Sequence, residues 1–486
     1  HRLGRPVKWI ADRSEEFLTS THGRDQQAQA ELALAADGAI LGLRLRTLAN
    51  VGAYALGTGL AIPLLIGPWV QTSVYHVPVI DFHFKGVLTN TAPTSAYRGA
   101  GRPEAIFIME RLMDEAARQT GIDRIALRRR NFIRPEQMPY KNPMGQTYDV
   151  GEFERIMDGG LALADWAGFE ARAAESRARG RLRGLGIATF LEWTGGNVFE
   201  ERVTVDVRAD GVIEVFSAVN QMGQGIATTL AQLVVDVFGV PIDQVRVVLG
   251  DTDRGDGFGS AGSRSLFTGG SALRIGAERT LDQARQLAGE ALEAAPADLD
   301  YAAGRFRVKG TDVGIGLFEL AARQDGQHIF IDSTSAVSGP SWPNGCHVSV
   351  QVVRYASLND VGRVVNPMIV RGQLDGGAVQ GIGQALCEHM VYDAESGQPL
   401  TGSLMDYAAP RADVLAADFV TEMDQGVPCR NNPLGVKGVG ELGTIGATPS
   451  VVNAVADALA RAGRPARSPQ LQMPLTPMKV WAALQP

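Results

Sequence analysis

The sequence predicts an α+β fold of mixed sheets and helices. Three observations carry that prediction: two hairpin signals of one pattern, helical periodicity between the strand patterns, and a surplus of glycine. Residues 31–47, ELALAADGAILGLRLRT, and 203–217, VTVDVRADGVIEVFS, each alternate side-chain character around an Asp-Gly turn. That is the period and the turn chemistry of a β-hairpin. Glycine makes up 57 of 486 residues, about 12% against a usual ~7%. A surplus without low complexity serves tight turns and close backbone approach to something bound.

Along the chain, Leu41, Leu43 and Leu45 form the apolar side of the first hairpin. A helix follows, opened by Pro103 and stopped by Gly121, with Ile106, Met109, Leu112 and Met113 on one face. Arg128, Arg129 and Arg130 fall at a helix end, where cations complement the dipole, and read as structural. His22 reads as a locally hydrogen-bonded residue. The Ala-, Arg- and Gly-rich segment 159–183 reads as a linker between a first unit, 1–158, and a second, 184–486. In the second unit the hairpin precedes a helix over 226–238, a buried strand over 245–249, and helices over 281–294 and 449–462, the last with Thr448 as N-cap. The turns at Gly38 and Gly211 mark either two related units or two unrelated hairpins.

Composition excludes several classes. Forty-six basic against 53 acidic residues give a net charge of −7, so no basic face advertises nucleic acid. With 45% hydrophobic residues the chain is not a disordered one. Cys346, Cys387 and Cys429 are too scattered for a zinc or iron–sulfur motif and too few for a disulfide-built fold. The histidines form no HExxH pair. The longest apolar stretch, 56–70, contains Pro63 and Pro68 and is too short to span a bilayer. No signal peptide is read, and a cytoplasmic location is expected. The first residue is His1 rather than Met, so the gene is expected to start upstream.

Five constellations can carry chemistry. Gln221-Met222-Gly223-Gln224-Gly225 leads into a helix, where backbone N–H groups beside glycines seat an anion. Gly250-Asp251-Thr252 and then residues 259–265, GSAGSRS, place hydroxyls and Arg264 after a strand, a set that wraps phosphates and polar rings. Residues 379–384, VQGIGQ, repeat the Gln-Gly pattern and read as a second helix entry, suiting a ligand with two polar ends. Residues 435–443, GVKGVGELG, match GxGxxG but follow turn residues rather than a strand, which excludes a dinucleotide-binding βαβ unit. What stands out there is Glu441, one carboxylate among glycines; an encased carboxylate is expected to have a raised pKa, suiting a general base. Finally, Arg98 stands among glycines just before a helix and suits an anionic group. Each pattern taken alone also describes an ordinary turn, a surface loop or a structural residue.

Taken in order, the motifs are specific. GRPVKW (4–9), THGRDQ (21–26), AYRGAGRPEA (96–105), LRRRNFI (127–133), MGQG, GDT, GSRS, VVNPMIVRGQ (364–373), QGIGQAL (380–386) and NPLGVKGVGELGTIGA (432–447) run the length of the chain. Together they resemble the large, molybdenum-binding subunit of the xanthine oxidase family, close to bacterial aldehyde oxidase and carbon monoxide dehydrogenase-like subunits. The resemblance implies two related, elongated molybdopterin-binding domains. It implies molybdopterin cytosine dinucleotide with molybdenum as cofactor, with no protein side chain as metal ligand. It makes Glu441 the general base that takes a proton from a molybdenum-bound hydroxyl, with Arg98 on the substrate side. It assigns Gly99, Met222, Gly223, Gln224, Gly225, Thr228, Asp251, Ser263, Arg264, Gln380, Lys437 and Gly438 to cofactor binding. The implied reaction oxidises an aldehyde or hydroxylates an N-heterocycle with water-derived oxygen. Its electrons would pass to [2Fe-2S] clusters and FAD on partner chains.

The departures are equally specific. Carbon monoxide-oxidising relatives hold copper on a Cys after the loop Arg; Gly99 stands there, so no Mo–Cu centre is expected. A longer hairpin is expected after Val348 than the sequence has room for, and Asp360-Val361-Gly362 replaces an Asp-Cys-Gly. A substrate-entry domain and a Gly-Gly-Phe-Gly loop lie ahead of GRPVKW in relatives; either the large subunit is split, and a separate chain carrying that part is expected as a partner, or this is a processed or partial chain. The alternatives are a non-catalytic subunit that cradles cofactor, and a carbon monoxide dehydrogenase-like enzyme without the copper Cys.

Overall fold

The computed structural model describes residues 2–350, 353–412, 418–465 and 471–485. The first hairpin forms as read. Strands β1 (Gln26–Leu34) and β2 (Ile40–Gly52) pair antiparallel, and β3 (Ile80–Leu88) runs parallel to β2. The register shifts between Ala33 and Leu34, so Ile40, Leu43 and Leu45 are buried while Leu41 faces out. The alternation rule alone misses this one-residue adjustment.

Helix α1 (Arg102–Thr120) sits between Gly101 and Gly121, both left-handed, and buries Ile106, Met109 and Met113. On α2 (Arg124–Asn131) the three arginines are structural, as expected. Arg128 is fully buried between Glu110 and Asp114, at 2.8 Å from each, while Arg129 pairs with Asp158 and Arg130 with Asp37.

The segment read as a linker is helical and packed. Residues 159–183 continue α3 (Phe153–Leu163) and form α4 (Phe169–Ala178). Phe169 and Ala173 enter a core that also holds Ile40 and Met109 from before the segment and Val348 and Ala356 from after it. Alanine and arginine are good helix formers, and that outweighs the low apolar content.

Beyond it come β4 (Gly186–Leu191), β5 (Glu200–Arg208), β6 (Ile213–Ser217), α5 (Ile226–Phe238), β7 (Val245–Leu249) and α6 (Ser271–Ala291). Helix α6 starts ten residues before the predicted one. Its first turns are small residues pressed on the sheet: a Cβ at Gly276 would meet Val203 at 2.9 Å. The chain continues through β8 (His328–Ala336), β9 (Asn344–Val350), β10 (Arg354–Asp360), α7 (Pro367–Leu386), β11 (Asp418–Asp424) and α8 (Leu442–Arg461). Two four-stranded sheets result, in the orders β8-β5-β6-β7 and β11-β10-β9-β4. The hairpin expected to be short, between β9 and β10, pairs Val350 with Arg354; residues 351 and 352 lie outside the described residues.

Two further expectations change. Thr448 is not an N-cap and Pro449 is not a helix start: α8 begins at Leu442, immediately after Glu441, and carries Pro449 inside it. Gln380 does not enter a helix either, because α7 begins at Pro367. In both helices glycines serve close packing rather than helix breaking, which a breaker rule reads backwards. Among the described residues, no helix is long and apolar enough to cross a membrane.

Candidate active site

The loop before α1, the turn after residue 259 and the start of α8 meet at Glu441. Its Oε1 accepts the Gly99 N–H at 2.9 Å. Its Oε2 accepts from Ser263 Oγ at 2.9 Å and faces Arg102 Nη2 at 2.5 Å. Gly99 is required where it stands. Its φ is +100°, and a Cβ there would lie 2.4 Å from Pro103. Ser263 is held at φ +57°, a strained setting for a serine, next to the group it serves.

Arg98 lies across this loop. Its Nε donates to the Gly440 carbonyl at 2.6 Å, and its Nη2 donates to Gln373 O and Oε1 at 3.0 Å. Arg24, from the segment before β1, donates to the Arg98 carbonyl, lies over the Tyr97 ring and faces Glu104 at 3.6 Å. Nε and Nη1 of Arg24 and Nε of Arg102 are buried without a hydrogen-bond partner.

The expected raised pKa of Glu441 is overturned. Burial pushes it up, but Arg102, the Gly99 N–H, Ser263 and a hydrogen bond from Glu192 together outweigh burial and hold Glu441 below the usual carboxylate range. A second carboxyl, Glu192, lies just after β4, fully buried, with Oε1 at 2.9 Å from Ser263 Oγ. Burial first, and then the charge of Glu441, push Glu192 well above the ordinary range. Neither Glu192, Arg24 nor Arg102 was singled out from the sequence. The signal for Glu192 was present: a glutamate directly follows the strand-forming run GIATFL of β4.

The predicted cofactor residues divide. Gln224 closes its own turn, accepting from Met222 N at 2.5 Å and donating to Asn220 O at 2.7 Å. Asn220 and Ser260 then tie this turn to the one bearing Ser263. Met222 is exposed, and a Cβ at Gly223 would meet nothing within 4 Å, so this backbone is open. Gly225 packs on Ile369, and Gly438 lies against Thr194 and Ser263. Gln380 lies mid-helix beside the Tyr97 hydroxyl, whose pKa burial and Glu388 push up to about 12. A cavity of about 580 Å³ adjoins Tyr97, lined also by Gln384, Glu388 and Tyr407.

Other side chains are committed elsewhere. Arg264 is buried, with donors to Val198 O, Gly259 O and Glu200 O and an ion pair to Glu201 at 2.9 Å. Lys437 is buried against Asp360 at 2.7 Å. Asp251 pairs with Arg254, whose other partner is Glu214, and no bond joins it to the Glu441 cluster. Thr228 is exposed in the first turn of α5. His22 bonds Tyr392 at 2.7 Å, a partner far along the chain, in addition to the backbone of the nearby Phe17.

Carboxylate, guanidinium and glycine loops converge on one wall, an arrangement of charge and open backbone that can seat an anionic group beside a carboxylate. Comparison with known proteins specifies the class of protein. Molybdopterin cofactor-binding domain models match residues 1–132 and 160–415. The chain is 34% identical to the 6-hydroxypseudooxynicotine dehydrogenase complex subunit gamma of Paenarthrobacter nicotinovorans, over 99% of this chain and 63% of that one. It is 32% identical to the nicotine 6-hydroxylase large subunit of the same organism, over 98% and 62%. The crystal structure of quinoline 2-oxidoreductase from Pseudomonas putida 86 superposes with a TM-score of 0.90 at 34% identity, over 100% of this chain and 65% of that one. This chain belongs to the molybdopterin cofactor-binding domains of the xanthine oxidase family. It spans just under two thirds of the length of these relatives.

Proposed function

We propose that this chain is the cofactor-cradling, catalytic part of a molybdenum hydroxylase acting on an N-heterocycle or an aldehyde with water-derived oxygen. Nicotine and quinoline, the compounds in the relatives' names, are N-heterocycles, which favours that substrate class. The observation that carries the reading is the setting of Glu441: an ionised carboxylate in a glycine loop, beside cations that have charge to spare.

The residues fit an anionic cofactor. Arg102 faces Glu441 and Arg24 faces Glu104, whereas Arg98 bonds, among the described residues, only to neutral oxygens. That leaves a positive charge and unpartnered buried N–H groups on one wall. The open turn at 222–225, the Gly99 and Gly438 backbone and the amide of Gln380 would hold the pterin and its nucleotide, which we read as the cytosine dinucleotide. When bound, the molybdenum cofactor supplies the redox and oxygen-transfer chemistry.

The chain's own residues handle the proton. Oε2 of Glu441 has two donors and Oε1 has one, so the open lone pair of Oε1 is the acceptor. A base held ionised is in its working form throughout the neutral range. Arg98 orients an anionic or carbonyl group of the substrate or cofactor. Electrons would leave to [2Fe-2S] and FAD carriers on partner chains, with a further chain supplying the rest of the cleft, all in the cytoplasm.

Glu441→Gln tests the assignment. Turnover is expected to fall about 10²–10⁴-fold, the range for loss of a general base, with molybdenum content unchanged. Unchanged turnover would leave this chain a cofactor-cradling assembly subunit.

A further inference from the structure

Ser263 Oγ stands 2.9 Å from Glu192 Oε1 and 2.9 Å from Glu441 Oε2. A hydroxyl has one proton to donate. When it donates to one carboxyl, its contact with the other is a hydrogen bond only if that carboxyl carries a proton.

The surroundings say which. Glu441 is met by donors on both oxygens: Gly99 N–H on one, Arg102 and Ser263 on the other. Glu192 is wholly buried, stands 3.7 Å from Arg102, and its Oε2 has no partner. An ionised carboxylate with an unpartnered oxygen in such a place costs several kcal/mol, whereas a carboxylic acid leaves only a carbonyl oxygen unpaired.

We infer that Glu192 is a neutral acid that donates to Ser263, which in turn donates to Glu441, fixing the base in its ionised form and orientation. Glu192 is thus a positioning residue: it acts through the two hydrogen bonds of Glu192–Ser263–Glu441, which point one way, and by hydrogen-bonding Glu441 directly. The charged groups around Glu441 are Arg102 on α1, Arg98 in the loop before it, Arg24 ahead of β1, and Glu192 after β4. All the cations favour ionised Glu441. None reaches Glu192 as closely as Arg102 reaches Glu441. Burial and the neighbouring charge of Glu441 favour the same assignment by raising Glu192.

The catalytic consequence rests on the role proposed for Glu441, but the proton on Glu192 does not. The test therefore pairs infrared spectroscopy of the purified native complex with the pH profile of kcat/KM. At neutral pH we expect a protonated-carboxyl C=O band that Glu192→Gln abolishes. Gln is the neutral isostere and keeps a donor toward Ser263, so the acid limb of its profile stays in place. Ser263→Ala breaks the chain. Its carboxyl band persists at a shifted frequency, and its acid limb rises by about one pH unit, a tenfold loss on the acid side. If Glu192 is instead ionised, the band is absent and Glu192→Gln moves the acid limb down by removing a like charge; either result overturns the inference. Should Glu192→Gln not fold, the band in Ser263→Ala decides alone, its absence being the overturning result. A complex with the carboxyl band but no turnover on any aldehyde or heterocycle would instead remove the proposed function and leave the proton assignment standing.

Discussion

Lys437 and Asp360 are 2.7 Å apart, with both side chains wholly buried. Asn344 and the Gly362 N–H complete the hydration shell that Asp360 has lost. In sequence the lysine stands four residues before Glu441 and reads as a cofactor cation; in space it pins the loop that carries Glu441. Lys437→Met leaves a buried charge uncompensated and should cost about 3–5 kcal/mol. Pairing it with Asp360→Leu should recover most of that. Denaturant melts of the two variants check this, and equal destabilisation in both would return Lys437 to the cofactor. The carboxyl pair makes opposite demands on pH. Glu441 lies below its ordinary value when folded, so it contributes stability above the unfolded carboxylate range that is lost as pH falls. Glu192 lies above its ordinary value, so it costs stability as pH rises from the unfolded range toward its folded value. Glu192→Gln should therefore be more stable than the wild type at neutral pH and no more stable at acid pH, read as the difference between their unfolding free energies across pH.

At the scale of elements, the site depends on how closely α7 and α8 approach. A Cβ at Gly443 would lie 2.3 Å from the Leu374 carbonyl, and one at Gly381 would lie 2.9 Å from the Ala447 Cβ. Thr444 Oγ1 donates to Gly377 O at 2.9 Å and Thr448 Oγ1 to Gly381 O at 3.2 Å, stitching the two helices together. Glycine weakens a helix interior, yet here it lets two backbones touch. That is why the start of α8 and the place of Gln380 were misread: local rules score Gly and Pro as breakers, and only the partner helix shows why they are tolerated. The hairpins and α1 were legible because turn residues and periodicity act locally. Gly443→Ala should separate the helices and destabilise by about 1–3 kcal/mol, the usual cost of overpacking. It should also move Glu441, two residues away, and lower activity. Gly372→Ala, where nothing lies within 4 Å, should raise stability by about 0.5–1 kcal/mol on helix propensity alone. Thermal unfolding of both variants separates packing from propensity.

At the scale of the whole molecule, the order of motifs was enough to name the family, although some of them, LRRRNFI on α2 and the Asp251 turn among them, lie away from the Glu441 cluster. Which side chains face that wall was not legible. Arg264 and Lys437 belong to motifs at the site but point into the fold, while Glu192 belongs to none of the singled-out motifs and points at the base. Spacing records where a loop lies, and only packing records which way a side chain turns. The wall itself is one-sided. Met222 is 69% exposed, the Gly223 backbone is open, and Glu441 retains an accessible edge. A cofactor seated on such a wall would be open to solvent on its other side and held less firmly than an enclosed group. The relatives, half as long again as the matched region, have further polypeptide to close the other face. We therefore expect this chain, expressed alone, to hold little molybdenum. When purified from its native host in its complex, it should hold about one molybdenum per chain together with iron, for which its own scattered cysteines provide no cluster site. Elemental analysis of the two preparations decides the point. Full occupancy in the isolated chain would mean that this wall alone suffices to hold the cofactor.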